Sequence, residues 1–152
     1  TDIYKNQKIK PMIIKQLSVF LEDKSGRLTE LTKILSENDI NITALCVADA
    51  ADYGIVRMIV GRPDLAMKVL KQDGFSVQLT DVACVVIPNK PGGLYTAIKI
   101  LADNNINIDY MYAFELNTTA SAVIRSSSIS DVIEVLQRNK LELLKDSQIY
   151  QV

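Results

Sequence analysis

The sequence predicts an α+β fold of two ferredoxin-like domains, each with the order β-α-β-β-α-β and a four-stranded antiparallel sheet that carries both helices on one face. Two observations support this prediction. Sliding the 152-residue chain against itself by 66 positions gives ten identities in the nineteen positions from Lys24 to Ile42. Both copies also show the same succession of strand-like and helix-like periodicity. The chain is therefore interpreted as a tandem duplication, with repeats of about residues 17–82 and 83–148.

Each copy begins with a strand and an amphipathic helix. Residues 16–22 alternate apolar and polar side chains, and the equivalent residues 83–88 are nearly all apolar, so both segments are predicted strands. After an interruption by Gly and Pro or Ser, side chains follow at helical spacing: Leu28, Leu31, Thr32 and Leu35 in the first copy, and Leu94, Ala97, Ile98 and Leu101 in the second. Each predicted helix ends at paired Asn or Asp residues, which tolerate the left-handed conformation common at helix C-termini.

A hairpin, a second helix and a fourth strand complete each copy. The predicted hairpin strands are 42–48 with 55–60 and 108–116 with 120–125, and the predicted fourth strands are 75–79 and 141–144. The second helices carry Ala66, Val69 and Leu70, and Val132, Val135 and Leu136. Short connections and right-handed crossovers turn this order into the predicted fold. In the hairpin strands, apolar residues occur at both odd and even positions, so both faces of these strands carry apolar side chains. We therefore expect that the helix-free face of the sheet is not fully exposed.

The chain is accordingly divided into a leader of residues 1–12 and two domains of residues 13–82 and 83–152. The residues before Met12 are either an ordered strand extension or a loose leader. Two copies of about 66 residues are near the size at which an isolated core is marginal. We therefore expect the two copies to pack together, and we expect a homo-oligomer.

The composition excludes several classes of function. The chain has no histidine, which removes imidazole bases, Ser-His-Asp and Cys-His nucleophiles and the commonest zinc and iron sites. Cys46 and Cys84 are 38 residues apart and form no CxxC pair, so we expect buried thiols and neither metal nor cofactor. A net charge of −1 with interspersed signs argues against nucleic acid and anionic lipid as partners. The sequence shows no apolar stretch of membrane-spanning length and no signal-peptide pattern at its start, so we expect a cytoplasmic protein.

The identities between the copies concentrate in two short segments. One is the turn from the first strand into the first helix, which reads Glu22-Asp23-Lys24-Ser25-Gly26-Arg27-Leu28 and Pro88-Asn89-Lys90-Pro91-Gly92-Gly93-Leu94. The other is the start of the second strand, which reads Asn38-Asp39-Ile40-Asn41-Ile42 and Asn104-Asn105-Ile106-Asn107-Ile108. We expect the fold to bring the two segments together. This pattern resembles the ACT domain, a small amino-acid-binding regulatory module, and more narrowly the stand-alone tandem ACT proteins of bacteria.

The resemblance implies an amino-acid ligand between the loop of one copy and the second strand of the other. A glycine loop and a helix N-terminus favour a carboxylate, and short polar side chains accept from the α-ammonium group. One implied site joins Asp23, Ser25, Gly26, Arg27 and Leu28 to Asn107, Ile108 and Asp109; the other joins Asn89, Gly92, Gly93 and Leu94 to Asn41, Ile42 and Thr43. Because Asp23 carries a charge that Asn89 lacks, we expect the two loops to differ in ligand preference.

Structural roles explain the same residues equally well. Asp23 and Asn89 are also suited to capping the first helix or holding the turn, and Asn41 and Asn107 to satisfying the backbone where a strand begins. Leu28 and Leu94 stand at the head of an apolar stripe, which favours the core over ligand contact. Tyr110 and Tyr112 are interpreted either as an aromatic wall of one site or as filling of the sheet core.

The leading hypothesis is an amino-acid sensor without enzymatic activity that acts on an unknown partner enzyme or regulator in trans. The rival is an assembly module that keeps the fold and binds no ligand. An enzyme that uses carboxylates such as Asp49 and Glu115 is the remotest alternative, because these residues occupy equivalent positions after the second strands and are more simply solvated turn residues.

Overall fold

The computed structural model describes residues 2–22, 24–49 and 52–150. Two compact units emerge from its contacts. The first unit consists mainly of residues Lys15–Thr80, and the second unit consists mainly of residues Asp81–Gln148 together with the N-terminal segment up to Ile14. Each unit has its own cluster of buried apolar side chains.

The first unit contains the predicted succession of strands and helices. Its elements are β1 Ile14–Leu21, α2 Lys24–Glu37, β2 Ile42–Asp49, β3 Gly54–Val60, α3 Pro63–Gln72 and the first part of β4 Ser76–Val86. The strand order is β2-β3-β1-β4, with β3 antiparallel to both β1 and β2. The predicted helical stripe is confirmed, because Leu31 and Leu35 are buried in the core with Leu70 of α3. Ile59, on the helix-free face, is fully buried, which confirms that this face is not fully exposed.

The second unit repeats this succession. Its elements are the remainder of β4, α4 Gly93–Asp103, β5 Tyr110–Leu116, β6 Thr119–Arg125, α5 Ile129–Arg138 and α6 Asp146–Ile149. The strand order is β4-β6-β5, and both pairings are antiparallel. Leu101 of α4 and Leu136 of α5 are fully buried in the core of this unit.

The fourth strands differ from the sequence prediction. The expected four-stranded sheet in each of the two domains is therefore not matched exactly. The predicted strands 75–79 and 83–88 form one continuous strand, β4, because Ser76–Val86 contains neither Gly nor Pro and is rich in β-branched residues. The predicted strand 141–144 is reduced to a single bridge between Val85 and Leu143. Lys140 with a φ of 62° precedes this segment and α6 begins at Asp146, so little length remains for a strand.

The N-terminal segment is a helix, which is neither the strand extension nor the loose leader considered from the sequence. Helix α1 spans Asp2–Ile9 and is followed by a 3₁₀ turn at Lys10–Met12. Ile9 and Met12 are buried in the core of the second unit, and Lys5 lies 3.9 Å from Glu134 of α5. Apolar contact with α5 therefore holds the helix in place.

Candidate functional site

The two glycine loops share one backbone conformation. Gly26 has a φ of 83° and its equivalent Gly92 a φ of 88°, in the left-handed region that favours glycine. Neither position has a heavy atom within 4 Å of where a Cβ would stand, so both loops have open space at this point. The same turn therefore introduces the first helix of each copy.

The loop of the second unit presents a helix N-terminus without a side-chain cap. Gly92 is the N-cap of α4, and no side-chain hydrogen bond caps the helix. The capping role considered for Asn89 is therefore not found, and Asn89 is exposed. Backbone N–H groups at a helix N-terminus favour a carboxylate or another anion. This end of α4 is chemically suited to the carboxylate of a small ligand.

The loops differ at the residue after the shared glycine. Gly93 is buried, and a Cβ there would overlap the carbonyl oxygen of Pro88. The equivalent residue in the first unit is Arg27, whose guanidinium carbon lies 3.8 Å from the ring centroid of Phe75 and whose Nη1 donates to Glu30 at 2.8 Å. The second loop thus leaves no room for a side chain at Gly93, whereas the first loop carries a cation at this position that contacts neighbours within its own unit.

Other loop residues have mixed outcomes. The core interpretation is confirmed for Leu28, which packs against the core of the first unit, and is wrong for Leu94, which is 42% exposed. Ser25 is the second residue of α2. Asp23 lies outside the described residues.

The second part of the predicted site lies at the far end of the first helix of each unit. Helix α2 has 14 residues, which corresponds to about 20 Å between the loop and the start of β2. The expectation that the fold brings the two segments together is therefore wrong within a unit, because a helix that follows β1 returns to the opposite end of the sheet before β2 begins. The pairing of each loop with the second strand of the other copy stays a prediction.

The start of β2 borders a cavity of about 490 Å³ in the first unit. Asn41 and Ile42 line it, and the carbonyl of Asn41 accepts from Gly61 at 3.0 Å. Thr43 is half-buried. In the second unit, Asn107 and Ile108 precede β5, and the amide of Asp109 donates to Arg125 at 2.9 Å. The bond at Asn41 is made by its backbone carbonyl, so the side-chain role considered for Asn41 and Asn107 at the strand entry stays a prediction.

Arg62 lines the same cavity and was missed by the sequence interpretation. Its Nη2 donates to the carbonyl oxygens of Asn38 at 3.1 Å and Asp39 at 2.6 Å, at the end of α2. The guanidinium has further N–H groups that can bind a carboxylate. The equivalent position in the second copy is Ser128. Comparing the copies position by position would have marked Arg62 as a difference.

The cysteines are poor candidates for chemistry. Burial of Cys84 in β4 raises the pKa of its thiol from 9.0 to about 12, so the thiolate that nucleophilic attack requires is negligible near neutrality. Cys46 is half-buried and also a free thiol. Within residues 2–22, 24–49 and 52–150, no group of three or more His, Cys, Asp or Glu side chains is arranged to hold a metal ion. Glu115 is exposed on β5.

The raised pKa of Cys84 predicts selective labelling. We expect Ellman's reagent at about pH 8 to modify only Cys46 in the folded protein and both cysteines in guanidinium. The burial of neutral Cys84 contributes stability that is fully present below pH 9 and is lost as the pH rises towards about 12, because the unfolded chain releases the thiol proton first. Rapid modification of Cys84 in the folded protein would contradict this prediction.

In the part of the chain that the structure describes, no helix combines the length and apolar character needed to cross a membrane.

Comparisons with known proteins agree on the fold. A family model described as an ACT domain pair matches residues 12–152. A crystal structure of protein BT0572 from Bacteroides thetaiotaomicron is 48% identical, with a TM-score of 0.87, and the match covers 93% of this chain and 98% of that one. The ligand-free regulatory subunit of aspartate kinase from Thermus thermophilus matches at 14% identity with a TM-score of 0.61, covering 84% of this chain and 94% of that one.

The regulatory subunit of aspartate kinase from Thermus flavus gives a similar result, with 14% identity, a TM-score of 0.58 and coverage of 82% and 90%. At such identities the two kinase subunits show likeness of fold alone. No curated protein matches the chain.

Proposed function

The chain belongs to the ACT domain family as a tandem pair, and from this premise we propose that it is a regulatory protein that binds a free amino acid and acts on a partner protein in trans. ACT domains are typically ligand-binding regulatory domains. The two kinase relatives are regulatory subunits by description, and BT0572, at 48% identity, is matched over 98% of its length. The proposal requires no catalytic residue in this chain.

One observation carries the proposal more than any other. Both units place a left-handed glycine, Gly26 or Gly92, directly before or within the first turn of the first helix. In the second unit this helix start has no side-chain cap. The Gly93 amide donates to the Lys90 carbonyl at 3.1 Å, and the amides that follow it in the first turn are available to a carboxylate. A conformation kept in both copies at this position supports binding of a small anion-bearing ligand, such as an amino acid.

The proposed ligand contacts are those that the resemblance implies. The loop contributes the carboxylate site, and the Asn at the start of the second strand contributes an acceptor for the α-ammonium group. The proposed residues are Asp23, Ser25, Gly26, Arg27, Leu28, Asn41, Ile42, Thr43, Asn89, Gly92, Gly93, Leu94, Asn107, Ile108 and Asp109. Arg62 lines the 490 Å³ cavity beside Asn41, but it pairs with Asp39 at 3.8 Å and its charge opposes an ammonium group there, so it is not one of the proposed contacts.

A second candidate function is assembly without a ligand. It is favoured by β2, which stands at the end of the strand order and carries two exposed apolar side chains, Leu45 at 41% and Val47 at 50%. An exposed apolar edge strand tends to pair with another chain. This observation also supports the homo-oligomer that we propose, and light scattering after size-exclusion chromatography would measure it.

A thermal-shift panel of the twenty common amino acids tests the proposed function. We expect one amino acid, or a chemically related group, to raise the melting temperature. A ligand at 100 times its dissociation constant adds about 2.7 kcal/mol, which corresponds to roughly 5–10 °C for a protein of this size. A flat panel at saturating concentrations would instead favour the assembly function.

Variants test whether the ligand-induced shift in melting temperature depends on the proposed contacts. We expect Asn41→Ala and Asn107→Ala to reduce the shift given by the active amino acid, because each removes a proposed acceptor of the ammonium group. Asn6→Ala, on the exposed surface of α1, is the matched control and should leave the shift unchanged. Equal shifts in all three variants would remove the Asn contacts from the proposal.

A further inference from the structure

A cavity of about 370 Å³ lies in the second unit, on the face of the sheet that does not carry α4 and α5. Its inner wall is formed by Val86 of β4 and Ser121 of β6, which are paired in register. Leu144 forms another part of the wall, and Gln148 of α6 stands at the rim. The volume is in the range of sites for small molecules.

Ser121 is a buried polar group without a partner. Its side chain is fully buried, and its Oγ makes no hydrogen bond with any residue in the described ranges. A buried hydroxyl that has given up water without gaining a hydrogen bond lowers the stability of the fold. Because Ser121 is one of the residues that line the cavity, a molecule in the cavity can supply the missing hydrogen bond when the hydroxyl rotates towards it.

Among the described residues that line this cavity, Glu142 carries the only charged side chain. Its position is fixed by the backbone, because the Val86 amide donates to the Glu142 carbonyl at 2.9 Å and the Leu144 amide to Cys84 at 2.8 Å. The Glu142 side chain is exposed and makes no ion pair with a described residue. The other polar side chains among the described lining residues are neutral, so the site favours a cation over a carboxylate.

We propose that this cavity is a second binding site, which takes a small alkylammonium compound that also carries a hydroxyl group. The ammonium group pairs with the Glu142 carboxylate at the rim, the hydroxyl group completes the hydrogen bonding of Ser121, and the carbon chain contacts Val86 and Leu144. This site is distinct from the proposed amino-acid site, because its described lining residues include none of the proposed amino-acid contacts and no cation for the carboxylate of a zwitterion.

A titration of backbone amide NMR signals with ethanolamine tests the proposal on the intact chain. We expect saturable shifts around Ser121 and Glu142. Ethylammonium, which lacks the hydroxyl group, should bind more weakly, and glycolate, which replaces the ammonium group by a carboxylate, should not bind. Absence of saturable shifts with ethanolamine, or equal shifts with glycolate, would overturn the proposal, whatever the amino-acid panel shows.

Two variants separate the proposed contacts. Glu142→Gln should raise the dissociation constant of ethanolamine about tenfold, as expected for the loss of one charge-assisted hydrogen bond. The matched control is Glu115→Gln, an exposed carboxylate on β5 outside the cavity lining, which should leave the constant unchanged. Equal effects of the two variants would overturn the ion pair and with it the proposal.

Ser121→Ala provides a readout that does not depend on binding. We expect its melting temperature without ligand to be equal to or above that of the unmodified protein, because the variant removes an unpaired buried hydroxyl. We also expect it to bind ethanolamine no better than ethylammonium. A lower melting temperature would show that the hydroxyl already has a partner, such as a bound water, and would overturn the proposal.

Discussion

Replacing Leu136 with alanine is expected to destabilise the second unit by about 2–5 kcal/mol. Leu136 lies on α5, is fully buried and belongs to the apolar cluster of this unit. Truncation removes buried methyl groups and leaves a cavity that a packed core closes only in part. Equilibrium denaturation in guanidinium, followed by circular dichroism, would measure the loss of free energy of unfolding.

The duplication supplies a matched experiment for this prediction. Leu70 of α3 stands 66 positions before Leu136 and is also fully buried, in the first unit. Leu70→Ala should therefore cost a similar free energy in the first unit. Leu94→Ala is the surface control, and because Leu94 is 42% exposed its cost should stay below about 1 kcal/mol. Equal costs for Leu136→Ala and Leu94→Ala would contradict the description of the core.

The Gly93→Ala variant is expected to destabilise the second unit by about 3 kcal/mol, mainly by overpacking. The added Cβ would overlap the Pro88 carbonyl oxygen and would lie 3.2 Å from Cγ2 of Ile87. The nearest obstacle is backbone, so the loop must move, and with it the start of α4. Thermal unfolding would record a fall of roughly 6–12 °C at this size.

The equivalent position in the first unit is the control for Gly93. Arg27 already carries a Cβ there, so Arg27→Ala should cost only the contacts of its guanidinium with Phe75 and Glu30, about 1 kcal/mol. If Gly93→Ala proves as mild as Arg27→Ala, the close approach of the loop to Gly93 is not maintained in solution.

The repeated elements could be predicted because their signals are local. Leu28, Leu31 and Leu35 follow helical spacing, and the same spacing returns 66 positions later. The helix ends were also readable, since Asp39 and Asn105, with φ values of 55° and 58°, adopt the left-handed conformation expected for paired Asn and Asp residues. These features depend on residues within one or two turns of each other.

The misjudged elements depend on distant contacts. Helix α1 forms where Ile9 and Met12 pack into the core of the second unit, and no short sequence pattern indicates that the N-terminal segment packs there. The fourth strand of the second copy has an apolar sequence, yet it makes one bridge because Lys140 and α6 limit its length. An apolar run indicates burial, but its pairing partner decides whether it becomes a strand.

The features of the candidate site also divide into those with a local sequence signal and those that depend on distant contacts. The glycine positions of both loops follow from the sequence, because a left-handed turn before a helix requires glycine. The distance from each loop to the following Asn does not follow from the motif, because the length of the helix between them sets this distance. Arg62 and Ser121 were both missed, since the cavity beside each is formed by segments far apart in the chain.

By itself, the sequence determined the duplication, the succession of strand, helix, two strands and helix in each copy, and the family, because each rests on residue spacing along the chain. Only the tertiary structure decided that β4 runs unbroken from one repeat into the next, that Gly93 has no room for a side chain and that the Ser121 hydroxyl is left without a partner. Volume and hydrogen bonding at these places depend on atoms that come together only when the chain is folded.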